Sequence, residues 1–133
     1  MQKGKQSTKR IVRVLIMDAQ DAVRQALSAI INRQPDMKVV AESENQSELL
    51  ETFKKSCPDV ALLDLEASGS SEIRAILEHN PDARIIALSL YEDQQTVQLA
   101  LQAGALMWML KGAGKAELLG AIRTCIKSTP IQH

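Results

Sequence analysis

Four polar residues stand at the ends of short apolar runs. Asp18 follows Val-Leu-Ile-Met, Asp64 ends Val-Ala-Leu-Leu-Asp, Ser89 ends Arg-Ile-Ile-Ala-Leu-Ser, and Lys111 follows Met-Trp-Met-Leu. Carboxylates, hydroxyls and ammonium groups serve in nucleophilic attack, cation binding and anion binding. A charged group beside a buried run is costly unless it is solvated or paired. The question is therefore whether the fold brings the four residues together.

Each of these residues also has an ordinary structural explanation. Asp18 could be the N-cap of the next helix, Lys111 a solvated strand end, and Ser89 alone says little. Asp64 is harder to explain in this way, because it lies within an otherwise apolar run that continues to Leu65.

A structural repeat organises the chain. The pairs Pro35-Asp36, Pro58-Asp59 and Pro81-Asp82 recur every 23 residues, and each precedes a β-rich apolar run. Proline ends the preceding helix because it lacks an N–H. With one run before the first pair and one after the last, five strands are predicted, at Ile11–Met17, Met37–Glu42, Val60–Asp64, Arg84–Ser89 and Leu106–Leu110.

Helical spacing fills the intervals between these strands. The predicted inward faces are Val23, Ala26, Leu27, Ile30 and Ile31; Leu49, Leu50 and Phe53; Ile73, Ile76 and Leu77; Val97, Ala100, Leu101 and Gly104; and Leu118, Leu119, Ile122, Cys125 and Ile126. Five β-α units favour an α/β fold, a flavodoxin-like, doubly wound parallel sheet with strand order 2-1-3-4-5. We expect one domain over 11–127, a basic tail over 1–10, and a second tail or the start of an interdomain linker over 128–133.

The predicted fold answers the question about the four polar residues. In an open α/β sheet, ligands bind beyond the carboxyl ends of the strands, where the strand order reverses. All four residues stand at that end of their strands. The sequence therefore predicts one functional cluster that contains Asp18, Asp64, Ser89 and Lys111.

Composition excludes several classes of function. The formal net charge is zero and only Phe53, Tyr91 and Trp108 are aromatic, so direct nucleic-acid binding by this chain is not expected. Cys57 and Cys125 form no C-x-x-C motif, and we expect two small buried thiols. No apolar run is long enough to cross a membrane and no secretory signal is evident, which favours a cytoplasmic protein.

The motifs together resemble a response-regulator receiver domain of two-component signal transduction. The resemblance rests on Val14–Asp18, Pro58–Leu65, Ala87–Ser89 and Ala103–Gly112. Lys-Gly after the last strand is most similar to receivers of the LuxR-type, NarL/FixJ-like regulators. The resemblance implies a phosphoprotein of a phosphorelay, a signalling domain that is not an enzyme beyond self-phosphorylation and autodephosphorylation.

The resemblance also implies roles for individual residues. Asp64 would be the phosphoacceptor, forming an aspartyl phosphate. Asp18, Asp64 and the backbone carbonyl of Glu66 would hold Mg²⁺. Lys111 would pair with a phosphoryl oxygen and Ser89 would hydrogen-bond it.

Three further roles concern switching and regulation. Trp108 stands at the aromatic switch position, and Glu66 and Tyr91 would modulate the reaction.

A sensor histidine kinase or a small phosphodonor would supply the phosphoryl group. Helices four and five, or one and five, would form an output surface or a homodimer contact. A transcription-regulating domain would lie outside this chain, unless the protein is free-standing.

The chain departs from the family pattern at Ala19. Receivers usually end strand one with two acids, and this one has Asp18-Ala19, which predicts a weakened magnesium site. Gln20, Asp21 or the Glu66 carboxylate could supply the missing oxygen. A pseudo-receiver that acts by protein contact without phosphorylation is the alternative. A flavin- or cobalamin-binding carrier of the same fold is a remote third, since its expected loops are absent.

Overall fold

A computed structural model describes residues 10–66, 69–90 and 92–127. Five strands alternate with five helices. In chain order they are β1 (Val12–Met17), α1 (Asp21–Asn32), β2 (Met37–Ser43), α2 (Leu49–Ser56), β3 (Val60–Asp64), α3 (Ser70–His79), β4 (Arg84–Ser89), α4 (Gln94–Ala103), β5 (Met107–Leu110) and α5 (Lys115–Lys127), with one turn of 3-10 helix at Gln46–Glu48 before α2.

The strands form one parallel sheet in the order β2-β1-β3-β4-β5. This confirms the predicted flavodoxin-like fold and its strand order. The polar strand β2 lies at an edge, and β3 lies at the centre with every residue buried. Each Pro-Asp pair falls between a helix and the strand that follows it.

Two hydrophobic cores cover the two faces of the sheet. In β1, Leu15 and Met17 pack toward α2 and α3, whereas Val14 and Ile16 pack toward α1 and α5. Successive strand side chains point to opposite faces, so a strand that is covered on both sides must be apolar at consecutive positions. This is why the apolar runs predict strands although they do not alternate.

Four expectations about individual residues are wrong. Ala26, Leu101 and Gly104 are exposed, and Ala103 of α4 is buried together with the expected Val97 and Ala100. Cys57 is exposed and caps the end of α2 in a left-handed backbone conformation, while Cys125 is buried as expected. The expected tails lie outside the described residues, apart from Arg10.

Among the residues that the structure describes, no helix is long and apolar enough to span a membrane.

Candidate functional site

The predicted cluster lies at the carboxyl edge of the sheet. Strand pairing aligns Met17 with Leu63 and Asp64 with Leu88, so the ends of β1, β3 and β4 come level with one another. The helix that follows β1, α1, packs on one face of the sheet, and the helix that follows β3, α3, packs on the other. The strand order therefore opens a crevice at β1 and β3, where Asp18 and Asp64 stand.

Lys111 joins the two aspartates. Its ammonium nitrogen Nζ lies 3.1 Å from Asp18 Oδ2 and 3.0 Å from Asp64 Oδ1. The lysine side chain is only 4% exposed, and both aspartates are buried. Residues that are at least 46 positions apart in the chain thus form a buried network of two acids and one base, which a stable fold tolerates because the charges are paired.

Backbone N–H groups hold the same carboxylates. Gln20 N–H donates to Asp18 Oδ1 at 2.9 Å, and Glu66 N–H donates to Asp64 Oδ1 at 2.9 Å. The second oxygen of Asp64, Oδ2, has a longer contact of 3.5 Å with Ala19 N–H. Both oxygens of Asp64 thus lie within reach of backbone N–H groups.

The network keeps Asp64 and Lys111 charged. Burial alone raises the pKa of Asp64, but hydrogen bonds from Lys111 and from Glu66 outweigh it and lower the pKa below its usual value. Burial alone lowers the pKa of Lys111, but Asp64 and Asp18 outweigh it and raise that pKa. Asp64 is therefore a carboxylate at neutral pH.

Ser89 and Glu66 meet on the side of the cluster nearest β4. Ser89 Oγ donates to Glu66 Oε2 at 3.4 Å, and Leu90 N–H lies 3.3 Å from Glu66 Oε1 and 3.4 Å from Oε2. Glu66 Oε1 is also 3.8 Å from Lys111 Nζ. The Glu66 carboxylate therefore contacts the end of β4 and the lysine.

Arg24 is a site residue that the sequence analysis missed. It donates from Nη1 to the backbone carbonyl of Asp18 at 2.7 Å, and it pairs with Asp21 and Glu42. Asp21 is thereby turned to the surface, with its side chain 69% exposed, and Gln20 offers the cluster its backbone N–H. The i,i+3 spacing of Asp21 and Arg24 is the one sequence signal that could have predicted the Asp21–Arg24 ion pair.

Trp108 stands apart from the charged cluster. It is half-buried on β5, pairs with Ala87, and packs against the core beneath α2 to α4. It also lines a groove with Glu92 and Val97 of the β4–α4 segment. Tyr91, the other aromatic residue proposed near this segment, lies outside the described residues.

The acids fit a hydrated magnesium ion better than a fully protein-bound metal. No cluster of three or more Asp, Glu, His or Cys side chains arranged for a metal occurs in residues 10–66, 69–90 and 92–127. Asp18 Oδ2 is nevertheless buried without a hydrogen bond, with Lys111 Nζ 3.1 Å away. Mg²⁺ commonly uses one or two carboxylates and keeps several waters. Asp18 and Asp64 satisfy that requirement, and Ala19 adds no side-chain oxygen.

The sheet has the flavodoxin-like topology, and its carboxyl edge carries a buried cluster of two aspartates and a lysine. The family model described as "Response regulator receiver domain" matches residues 14–123. The chain therefore belongs to the response regulator receiver family.

Individual relatives agree with this assignment. The chain is 36% identical over 123 residues to the transcriptional regulatory protein LiaR of Bacillus subtilis, covering 90% of this chain and 58% of that protein. A LuxR-family two-component response regulator from Aurantimonas has a TM-score of 0.84 at 26% identity, with 92% of this chain and 89% of that chain covered. The chain spans little more than half the length of LiaR.

A more distant structure shows the fold alone. A chain of the CheX-CheY-BeF3-Mg complex from Borrelia burgdorferi has a TM-score of 0.84 at 21% identity, covering 93% of this chain and 96% of that chain. The similarity to a LuxR-family regulator agrees with the prediction from the Lys-Gly motif.

Proposed function

We propose that this receiver accepts a phosphoryl group on Asp64 and passes the change to a surface near β4, α4 and β5. One observation carries the proposal: a buried carboxylate has one oxygen held by Lys111 Nζ at 3.0 Å and by a backbone N–H at 2.9 Å. A carboxylate oxygen of Asp64 is the candidate nucleophile. The relatives' role in transcriptional regulation supports a regulatory output.

The transfer step is a simple displacement at phosphorus. An Asp64 oxygen attacks the phosphorus of a phosphohistidine or a small donor such as acetyl phosphate. The bond between phosphorus and the donor breaks, and the histidine imidazole or acetate leaves with the electron pair. Lys111 would neutralise negative charge on the phosphoryl oxygens, which makes the approach of two anions less costly.

A magnesium ion would complete the site. Asp18, Asp64 and the backbone carbonyl of Glu66 are the groups proposed to hold it. The ion supplies further neutralisation of the phosphoryl oxygens. Because Ala19 contributes no oxygen, we expect weaker magnesium binding than a second acid would give.

Ser89 and Trp108 would connect the site to its output. Ser89 Oγ would donate to the new phosphoryl group, and Trp108 would change its packing against α4 as the β4–α4 segment moves. The partners would be a histidine kinase on the input side and, on the output side, a second copy through α4 and α5 or through α1 and α5. A DNA-binding domain would belong to the longer protein.

The test is phosphorylation by acetyl phosphate with and without Mg²⁺, followed by intact mass. We expect one phosphoryl adduct in the native chain, none in Asp64→Asn, and less in Asp18→Asn at limiting Mg²⁺. Asp82→Asn, at a surface turn, is the control and should behave as the native chain does. An adduct that persists in Asp64→Asn would refute the assignment.

A second candidate function is a pseudo-receiver that signals by protein contact alone. Two observations favour it: Ala19 replaces an acid, and the Glu66 carboxylate already contacts Ser89 and Lys111. It predicts no adduct at saturating donor and Mg²⁺ in a protein that remains folded, together with partner binding that Asp64→Asn leaves unchanged.

A further inference from the structure

The Glu66 carboxylate accepts hydrogen bonds from two donors at the end of one strand and faces an ammonium group at the end of another. Ser89 Oγ and Leu90 N–H come from the end of β4, at 3.4 and 3.3 Å, and Lys111 Nζ from the end of β5, at 3.8 Å. The Glu66 side chain is 35% exposed, so it reaches these groups from the solvent side of the buried cluster. It thereby bridges the β3–α3 loop to the β4–α4 segment.

A hydroxyl, a backbone N–H and an ammonium form a donor set for an oxyanion. Lys111 Nζ touches Asp64 Oδ1 at 3.0 Å as well as facing Glu66. An anion attached to Asp64 would therefore enter the space that these same donors border. The donors have few hydrogens to offer, so the incoming anion and the Glu66 carboxylate compete for them.

Charge makes the competition stronger. A phosphoryl group carries close to two negative charges at neutral pH. Beside it, the Glu66 carboxylate would be repelled across a few ångströms in a partly buried site, where such repulsion is much larger than in water. The carboxylate must leave before the phosphoryl group can take its donors. Its partial exposure gives it room to do so.

We propose that Glu66 is an internal anionic ligand of the phosphoryl-binding donors. In the unmodified protein it holds the β4–α4 segment toward the site, in the place of a phosphoryl group, and phosphorylation requires its displacement. The proposal rests on the phosphorylation of Asp64 proposed above. It makes Glu66 a positioning residue, with separable effects of its charge and of its hydrogen bonds.

Two variants distinguish those effects. Glu66→Gln removes the charge but keeps an oxygen that can accept from Leu90 N–H. Glu66→Ala removes both. Glu78→Gln, which makes the same charge change at an exposed position of α3, is the matched control.

The first measurement uses the unmodified proteins and needs no phosphodonor. In a 1H–15N spectrum, the Leu90 amide proton of Glu66→Ala should move upfield, because it loses a charged acceptor. The control should leave this signal in place. A Leu90 signal that is the same in Glu66→Ala and in the native chain would overturn the bridge.

The second measurement is the rate of adduct formation from acetyl phosphate, by intact mass. Glu66→Gln should react about tenfold faster than the native chain, the factor that corresponds to ~1.4 kcal/mol of relieved repulsion. An equal or slower rate would overturn the competition. If no variant forms an adduct, the proposed phosphorylation fails and the competition fails with it, while the Leu90 signal still decides whether the bridge exists.

Discussion

Replacing Lys111 by methionine tests how much the lysine ammonium group stabilises the cluster. The substitution keeps much of the side chain's length and apolar volume and removes the ammonium. Asp18 and Asp64 then lose their contacts of 3.1 and 3.0 Å with Nζ. Two buried carboxylates are left facing each other without a cation.

The expected cost is large for a single substitution. Removing one partner of a buried ion pair typically costs about 3–5 kcal/mol, because an uncompensated charge stays behind. Asp64 can escape part of this by taking up a proton. We therefore expect Lys111→Met to lower the free energy of unfolding by about 3 kcal/mol at pH 7.

The loss of stability in Lys111→Met should be larger at neutral pH than at acidic pH. In the native chain the pKa of Asp64 is lowered, so its stabilisation is present at neutral pH and is lost as the pH falls through that pKa. In Lys111→Met the ammonium no longer opposes burial, so we expect the Asp64 pKa to lie higher than in the native chain and the variant to lose stability as the pH rises through it. The difference between the two proteins should therefore be smaller at pH 5 than at pH 7.

Urea unfolding at both pH values is the assay. Lys115→Met, at an exposed position in the first turn of α5, is the control and should change stability by less than about 0.5 kcal/mol. Adding Asp64→Asn to Lys111→Met should restore part of the loss, because it removes one stranded charge. A loss below about 1 kcal/mol at pH 7, or one equal at both pH values, would refute the reasoning.

Two further predictions concern single residues of the scaffold. Gly104 caps α4 with φ of 119°, and an added Cβ would lie 2.2 Å from Leu77 Cδ1. In urea titrations, Gly104→Ala should therefore lower the free energy of unfolding by about 1–3 kcal/mol. Gly120→Ala, in open space within α5, should raise it by about 0.5–1 kcal/mol. Burial raises the pKa of Cys125 to about 11 while Cys57 is exposed, so a thiol reagent at pH 8 should modify one cysteine per native chain and both in urea. Rapid modification of both in the native state would contradict this.

Much of the fold and of the site could be predicted from the sequence. The Pro-Asp repeat and the consecutive apolar positions define strands covered on both faces, and the three Pro-Asp pairs fall where helices give way to strands. Parallel strands bring their carboxyl ends to one edge, so residues that follow apolar runs must meet there. This is why Asp18, Asp64 and Lys111 could be placed together although they are far apart in the chain.

The tertiary structure decided how these side chains are used. Glu66 bridges to Ser89 and Leu90, and Arg24 clamps the Asp18 carbonyl, because loop paths and rotamers depend on neighbours from other parts of the chain. Helical periodicity likewise did not predict that Leu101 is exposed. The angle at which a helix packs on the sheet determines which of its apolar residues are buried. The sequence determines the length and direction of each strand, and therefore which side chains lie at the carboxyl edge of the sheet. Only the packed structure sets which donors each carboxylate finds there.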